Sequence, residues 1–281
     1  MKRLRITHST GYRYEGEVTA SYNEARMLPI SAERQLVLHS NLEVEPVSSH
    51  HQYTDYWGTR VLAFDVLAPH RELTLSASSL VEVLDPLPHD SALTWDELRH
   101  VRFTAGEYVQ QLPQTQLTEP ADEVAGIAAT VVGLHEDPCE AALALCRRVG
   151  ESVEYVTGVT GVTSTAADAW AEGKGVCQDI THIAIGALRS VGIPARYVSG
   201  YLHPSPEPVV GETVVGESHA WVEWFCGSWH GYDPTNRVEI GDRHVRVGHG
   251  RDYTDVAPLR GVYAGPTASE LFVTVEITRE A

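Results

Sequence analysis

The first third of the chain alternates between apolar and polar positions in a way that is typical of β-strands. Residues 4 to 84 contain the segments RITHSTGYRY, LVLHSNLEVEP, WGTRVLAFDVL and LTLSASSLVEVL, each alternating or rich in Val, Leu, Tyr and Phe. Half-buried strands have this period of two, and turn-forming residues separate the segments. The pattern therefore predicts an all-β sandwich over residues 1–85.

The alternation stops at the segment LDPLPHDSALTWDELRH, which prolines interrupt. Proline and clustered turn residues are typical of a connection between domains, so we assign residues 86–118 to a connecting segment. Helical periodicity follows it. A first helix is expected to begin near Pro120, with an apolar face made of Val124, Ile127, Ala128 and Val131.

Two further helices are indicated by their start signals and by apolar spacings of three and four residues. Asp137 and Pro138 make a good cap and first turn for one of them. The residues that it presents to a core are Cys139, Ala142, Leu145, Cys146 and Val149. The other begins near Val176 and ends at Gly192. The strands ARYVSGYL, HAWVEWF, SWHGYD and ELFVTVEIT follow, which indicates an α+β domain over residues 119–281, including the C-terminal strand.

Charge and composition exclude several classes of partner. The chain has 281 residues, 43% of them hydrophobic, which is enough for a sizeable core. Its formal net charge of −17 opposes binding to the phosphates of nucleic acid or to anionic lipid. No stretch approaches the roughly 20 apolar residues of a membrane span. Because the start MKRLRITHSTGYRYEGE becomes polar too early for a secretion signal, we expect a cytoplasmic protein with no membrane partner.

The four cysteines show no paired metal-ligand spacing such as C-x-x-C. Thiols this sparse suit a reducing compartment. Cys139 and Cys146 are seven residues apart in a predicted helix. That spacing corresponds to about 10 Å along the helix axis, which is too far for a disulfide between the two. We therefore interpret both as small core residues.

Cys177 has a different setting, because it follows a Gly-Lys-Gly loop at the first or second position of the third helix. Unpaired backbone N–H groups and the positive end of the helix dipole stabilise a thiolate there. Gly173 and Gly175 let the backbone turn and leave the sulfur uncrowded. Since cysteine is among the most buried residue types, the helix alone leaves a structural and a reactive role equally open.

A histidine and an aspartate are predicted to lie close together across a β-hairpin. If its turn is centred near residue 227, His219 faces position 235, and Asp233 is its diagonal neighbour at about 7 Å between backbones. Pro234 fits the end of the second strand, because proline cannot donate a further ladder bond. Cys177, His219 and Asp233 would then supply a nucleophile, its general base and the group that orients the base.

Other polar residues near Cys177 have simpler interpretations. Asp179 is a charge that suits a helix start. His182 lies about 140° around the helix from Cys177, so it does not serve as the base. The Gly- and Pro-containing loop of residues 203–217 is either a lid beside the site or a plain surface loop.

These segments resemble the transglutaminase-like superfamily of cysteine enzymes. GVCQDITHIAIGALRSVGIPARYVSGYL is similar to the family's nucleophile helix and following strand, ESHAWVEWF to its histidine strand, and GYDPTN to its aspartate turn. Residues 4 to 84 resemble the β-domain that precedes this core in bacterial members. The resemblance implies a papain-like transglutaminase core in which Cys177 is the nucleophile, His219 the general base and Asp233 its orienting partner.

The same resemblance implies acyl transfer at a peptide or isopeptide amide of a protein substrate, without a cofactor. Cys177 attacks the carbonyl carbon, an amine leaves, and water or another amine resolves the thioester. The backbone N–H of Cys177 is the expected oxyanion donor, while a second donor is not identified among Gln178, Thr163 and Ser164. We expect hydrolysis rather than transamidation, and the oligomeric state is left open.

Three alternatives to an active cysteine enzyme of this superfamily can be named. A catalytically inactive transglutaminase-like module that binds other proteins would have the same fold. Arylamine acetyltransferases and peptide N-glycanases resemble the core in their Cys, His and Asp, although the chain lacks the C-x-x-C pairs of the zinc-bearing glycanases and its β-domain is unlike an acetyltransferase. A metal site at Cys177 and His219 lacks the ligand count of structural zinc.

Overall fold

The computed structural model describes residues 1–85, 93–104, 106–265 and 268–281. The first strands are β1 (Lys2–Val18), β2 (Ala20–Ala25), β3 (Gln35–Glu45), β4 (Ser49–Thr54), β5 (Arg60–Val66) and β6 (His70–Val83). The middle of the chain contains α1 (Trp95–Thr104), a 3-10 helix (Gly106–Gln111), α2 (Asp122–Val132), α3 (Pro138–Ser152), β7 (Glu154–Tyr155), α4 (Ala166–Glu172), β8 (Lys174–Gly175) and α5 (Cys177–Ser190). The remaining elements are β9 (Ala195–Leu202), β10 (Thr213–Phe225), β11 (Trp229–Asp233), β12 (Val238–Glu239), β13 (His244–Gly250), α6 (Tyr253–Val256), β14 (Leu259–Ala264) and β15 (Ser269–Arg279).

The N-terminal strands form two layers, as the apolar alternation predicts. A four-stranded sheet has the order β14-β2-β5-β4, while β1, β6 and β3 belong to a nine-stranded sheet. Every second residue of β6 from Leu73 to Val83 is buried, so one face of this strand points into the interior, and all of its residues except Ser79 are apolar. Between the two layers lie Tyr14, Val18, Ala25, Leu62, Phe64, Val66, Leu73, Leu75 and Ala77. The predicted α+β class with a β-rich N-terminal region is confirmed.

Strand β10 belongs to both halves of the molecule. Its residues 213–216 pair with β15, and its residues 217–224 pair with β9. Strand β15 also pairs with β1 over its whole length, from Ser269 to Arg279. The last strand therefore lies between a strand of the N-terminal half and a strand of the second half. Pairing between the two ends of a chain leaves no local pattern from which it could be read.

Helix α5 lies at the centre of the second half, where α2, α3, α4, β9 and β10 pack against it. Every residue from Gln178 to Arg189 is buried. Ile180, Ile183 and Leu188 are at most 1% exposed. Complete burial of one such side chain contributes about 1.5–3 kcal/mol, so this packing holds the end of α5 that carries Cys177.

The helices begin where the sequence signals place them. Asp137 is the N-cap of α3, and its carboxylate accepts a hydrogen bond from the Cys139 N–H at 2.7 Å, with Pro138 at the first helical position. Helix α2 begins at Asp122, close to the expected Pro120. The apolar face predicted for α3 lies in the helical core.

The connecting segment is packed rather than extended. Residues 86–92 and 105 of this segment lie outside the described residues. Helix α1, which the sequence does not predict, buries Leu98 in the helical core. The buried Arg189 of α5 donates hydrogen bonds to the carbonyls of Gln111 at 3.0 Å and Pro113 at 3.1 Å. These contacts attach the segment to the same core as α5.

Cys139 and Cys226 form a disulfide, with their Cα atoms 5.8 Å apart. The bond joins the first turn of α3 to the residue after β10, at a sequence separation of 87. Cys146 and Cys177 are free. The interpretation of Cys139 as only a small core residue is therefore wrong, because helix spacing cannot reveal a partner so far along the chain.

Candidate active site

Cys177 is the first residue of α5, where backbone N–H groups have no partner inside the helix. The N-cap residue Val176 has no polar side-chain atom, and Asp179 completes this helix start instead. Its Oδ2 accepts hydrogen bonds from the Val176 N–H at 2.8 Å and from the Thr160 hydroxyl at 2.6 Å. Gly175 is required nearby, because a Cβ there would lie 2.8 Å from the Asp179 side chain. The thiol is thus held by a tightly packed turn.

His219 and Asp233 meet across the hairpin formed by β10 and β11. The strands pair in a register centred on residue 227, as predicted. Gly227 has φ 113°, a conformation that favours glycine. His219 Nε2 lies 2.7 Å from Asp233 Oδ2, so the predicted diagonal pair is in direct hydrogen-bond contact.

The imidazole of His219 lies between the thiol and the carboxylate. With Nε2 bonded to Asp233, the other ring nitrogen is available to Cys177, whose side chain is close enough to contribute to the pKa of His219. Burial lowers the pKa of His219, but the hydrogen bonds to Asp233 and Cys177 and the charges of both outweigh burial and raise it to about 10. The imidazolium form is therefore favoured over the physiological pH range.

Five donors surround the Asp233 carboxylate, which is fully buried. Oδ2 accepts from His219, from the Asn236 side chain at 2.8 Å and from His244 Nε2 at 3.4 Å. Oδ1 accepts from the backbone N–H groups of Thr235 and Asn236, each at 3.0 Å. Burial alone would raise the pKa of Asp233, but the hydrogen bonds from His219 and His244 hold it well below the ordinary value. The group is thus an ionised acceptor.

The inner part of the site, around Asp233, is buried, and its outer edge, here called the rim, is exposed to solvent. Cys177 is half-buried, and the side chain of His219 is 9% exposed. On the rim, the Tyr155 hydroxyl donates a hydrogen bond to Glu217 at 3.1 Å, and both residues are exposed. Burial raises the pKa of Tyr155 well above its ordinary value, and interaction with Cys177 and Glu217 adds to this shift. A substrate could reach the sulfur without displacing Asp233.

The other residues near the thiol have structural contacts. Gln178 donates to the Val162 carbonyl at 3.3 Å. Ser164 accepts from the Gly161 N–H at 3.0 Å. His182 accepts from a backbone N–H of α6 and is fully buried. The loop after β9 is shorter than predicted, because residues 213–217 already belong to β10.

Sequence reasoning did not single out Asn236 or His244. Asn236 carried a signal, since asparagine closely following an aspartate is a common turn former and here bonds back to Asp233. His244 carried none: it is one of 14 histidines and lies within a Gly-rich, charged segment. Only the pairing of β13 with β9 brings it to the carboxylate.

One group among the described residues has ligand types suited to a metal ion. Cys139, Cys226 and His230 have ligand atoms within 4.8 Å of one another. The two sulfurs are joined in the disulfide, which removes them as thiolate ligands. Three ligands are also fewer than the four that a structural zinc site uses. This group therefore does not fit a metal.

Comparison with protein families agrees with the geometry. Residues 4–82 match the bacterial transglutaminase-like N-terminal region, and residues 125–234 match the transglutaminase-like superfamily. The chain is also 48% identical over its whole length to an uncharacterized protein of Mycobacterium leprae (strain TN), of which it covers 100%. The chain belongs to the transglutaminase-like superfamily. The second match ends one residue after Asp233 and includes Cys177 and His219.

Two other similarities extend over nearly the whole chain. An uncharacterized protein of Mycobacterium tuberculosis (strain ATCC 25618 / H37Rv) is 31% identical over 293 residues, covering 98% of this chain and 92% of the relative. A crystal structure described as a "Putative Cysteine Protease from Cytophaga hutchinsonii" has a TM-score of 0.78 and 21% identity, covering 99% of this chain and 90% of that chain. This likeness extends the shared fold to the N-terminal sandwich.

No helix in the described parts of the chain is long and apolar enough to cross a membrane.

Proposed function

We propose that the protein is a cysteine-nucleophile enzyme that acts on peptide or isopeptide amide bonds of a protein substrate through a thioester intermediate. The observation that carries this proposal is the position of His219, which is hydrogen-bonded to Asp233 and interacts electrostatically with Cys177. A thiol, a base and an orienting carboxylate in this order are the groups that acyl transfer requires.

In the first half of the reaction, the Cys177 thiolate attacks the carbonyl carbon and forms a C–S bond. The carbonyl π electrons move to oxygen, and return when the C–N bond breaks. His219 gives its proton to the leaving nitrogen, which departs as ammonia or an amine. In the second half, water attacks the thioester while His219 accepts its proton, and the acid and the thiolate are released.

The start of α5 stabilises the negative charge that develops on the carbonyl oxygen during the reaction. The N–H of Cys177, at the first helical position, is free of intrahelical bonding and is suited to stabilise the oxyanion of the tetrahedral intermediate. Removing one donor of this kind typically lowers kcat by about 10²–10³. Hydrolysis is the preferred outcome of the proposal, since no described feature recruits an amine in place of water.

A screen of the wild type against a library of peptide, glutamine and peptidoglycan-stem amides tests the proposal. We expect amine release and a thioester adduct on Cys177, both abolished in Cys177→Ala. Cys146→Ala is the matched control, because Cys146 is the other free cysteine and is fully buried away from the site. Acetylation of Cys177 by acetyl-CoA, without turnover of any amide, would instead indicate an acetyltransferase.

An inactive protein-binding module gives a different result. In that case Cys177 would react with iodoacetamide as a free cysteine does, and His219→Ala would leave the pH dependence of the reaction unchanged. An enzyme would show fast alkylation near neutral pH that His219→Ala slows.

The expected cytoplasmic location remains part of the proposal. The Cys139–Cys226 disulfide argues in the other direction, because such bonds persist mainly in oxidising compartments. Alkylation of thiols under denaturing conditions, immediately after acid quenching of the cells, distinguishes the two locations. Modification of all 4 cysteines would indicate a reducing compartment, and modification of only the free ones, Cys146 and Cys177, an oxidising compartment.

A further inference from the structure

A second histidine contacts the carboxylate that His219 uses. His244 Nε2 lies 3.4 Å from Asp233 Oδ2, the same oxygen that lies 2.7 Å from His219 Nε2. The side chain of His244 is 1% exposed. This residue lies beyond the stretch 125–234 that matches the superfamily core. The amide-cleaving mechanism described above does not use it.

The protonation of the His244 ring follows from its hydrogen bonds. The backbone N–H of Gly241 donates to His244 Nδ1 at 3.2 Å. A backbone N–H can only donate, so Nδ1 is an acceptor and the proton of the neutral ring is on Nε2. The His244 N–H donates in return to the Gly241 carbonyl at 3.1 Å, which closes a tight turn. The Nε2–H group is therefore directed at Asp233.

The electrostatic surroundings keep His244 uncharged. Burial lowers its pKa, and the charges of His219 and Arg243 act in the same direction. Asp233 opposes them through its hydrogen bond and its charge, but the net shift of the pKa is downward. A neutral donor satisfies a carboxylate without adding a second cation that would compete with the His219 imidazolium.

The ring of His244 has little freedom to turn away. Trp221 packs edge-on against it with ring centroids 5.4 Å apart. Gly200 makes room for that indole, since a Cβ there would lie 2.8 Å from the Trp221 ring. The turn itself is anchored to the first strand, because Asp242 pairs with Lys2 at 2.5 Å.

We propose that His244 is a positioning residue, whose Nε2–H holds the Asp233 carboxylate in the orientation that presents Oδ2 to His219. This inference rests on the proposed function. His244 acts through Asp233 and contacts neither the thiol nor the rim of the site. A histidine that only filled the core would affect the stability of the protein but not the titration of His219.

Two substitutions separate these roles. His244→Phe keeps an aromatic ring of similar volume and removes both nitrogens, whereas His244→Gln keeps one donor and one acceptor. His8→Phe is the matched control, because His8 is also buried, at 2% exposure, and bonds to the Tyr201 hydroxyl in another core cluster. Melting temperatures of all three variants measure the purely structural cost.

The readout is the rate at which iodoacetamide alkylates Cys177, followed by mass spectrometry from mildly acidic to strongly alkaline pH. This measurement needs no substrate. The alkaline transition of the rate occurs where His219 loses its proton. In His244→Phe we expect this transition to move to lower pH by about one pH unit, the lower end for loss of a hydrogen bond to a charged group, while the rate near neutral pH, well below the transition, stays close to that of the wild type.

In His244→Gln and in His8→Phe the alkaline transition is expected to stay at the pH at which it occurs in the wild type. In an Asp233→Asn background, His244→Phe should have no further effect, since both changes act on one contact. An unmoved or raised transition in His244→Phe, or its full effect in the Asp233→Asn background, overturns the inference. A wild-type Cys177 that reacts only as a free cysteine overturns the proposed function instead.

Discussion

Arg196 and Glu223 lie directly opposite each other on β9 and β10 and form a buried ion pair, with 2.6 Å between Arg196 Nη2 and Glu223 Oε2. The guanidinium also stacks on Trp229, with its Cζ 3.7 Å from the ring centroid. Arg246 approaches the same carboxylate at 3.5 Å. Because Glu223 shares β10 with His219, this cluster fixes the strand that carries the proposed base.

Glu223→Gln is expected to lower the free energy of unfolding by about 3–5 kcal/mol at neutral pH, because it leaves Arg196 buried without a counter-charge. Denaturant unfolding measures this loss. The matched control is Glu82→Gln, which breaks another cross-strand pair, with Arg3, whose side chain is 42% exposed. The control should cost at most about 1 kcal/mol. Equal losses in the two variants would contradict the buried role.

The Glu223 pair also predicts how the protein responds to acid. Burial raises the pKa of Glu223, but Arg246 and Arg196 outweigh it and lower the value from 4.5 to about 2. Since the folded value is the lower one, the carboxylate stabilises the fold above pH 4.5, and this contribution is lost as the pH falls toward 2. Melting curves between these limits should show a smaller acid loss in Glu223→Gln than in the wild type.

Asp233→Asn should remove the support for the His219 imidazolium. The pKa of His219, raised to about 10 in the wild type, is then expected to fall toward its ordinary value of 6.5. The imidazolium exists only below that pKa, so the alkaline limb of activity moves to lower pH. By analogy with triads of this type, kcat should drop about 10⁴-fold. NMR titration of the His219 ring checks the shift, and an unchanged titration near pH 10 would contradict the contact.

Asp179→Ala should lower both stability and the reactivity of the thiol. Asp179 is the third residue of α5 and accepts a hydrogen bond from the N–H of the N-cap residue Val176. Asp168 has the same position in α4 and accepts one from the N–H of Thr165. Loss of such a cap costs about 0.5–2 kcal/mol. Asp168→Ala serves as the control and should reduce the melting temperature while leaving alkylation of Cys177 unaltered. Slower alkylation in both variants would indicate a general effect of destabilisation.

Reduction of the Cys139–Cys226 disulfide should lower the free energy of unfolding by about 2–5 kcal/mol, because the bond restricts the unfolded chain. Unfolding curves with and without a reducing agent measure the difference. Cys139→Ser should abolish the response to the reducing agent, whereas Cys146→Ser, at a buried free thiol, should preserve it. If the wild type unfolds identically under both conditions, the bond is absent in solution.

The features that the sequence predicts well are those encoded within a short stretch. Helix α5 was recognisable from its apolar spacing and glycine signals, and the contact between His219 and Asp233 from counting outward from Gly227. Helix α1 was missed because prolines and polar residues surround it. The two correct predictions and the missed helix all depended only on the residues within or next to the segment concerned.

Contacts between distant parts of the chain could not be predicted in this way. The pairing of β15 with β1, the bond between Cys139 and Cys226, and the approach of His244 to Asp233 all depend on how strands are ordered in space. A lone histidine or cysteine carries no periodicity, so its partner becomes visible only once the sheet is assembled.

The position of β10 limits how far the two halves of the molecule can be separated. Its first residues pair with β15 on the side opposite β1, and its next residues carry His219. Excising the segment from residue 119 onward would remove the β1 neighbour of β15 along its full length and leave an unpaired strand edge that favours aggregation. Replacing either half with that of a relative would require the pairing of β15 with β1 and the pairing of β10 with β15 to be preserved at the same time. The two halves are therefore expected to be inherited together.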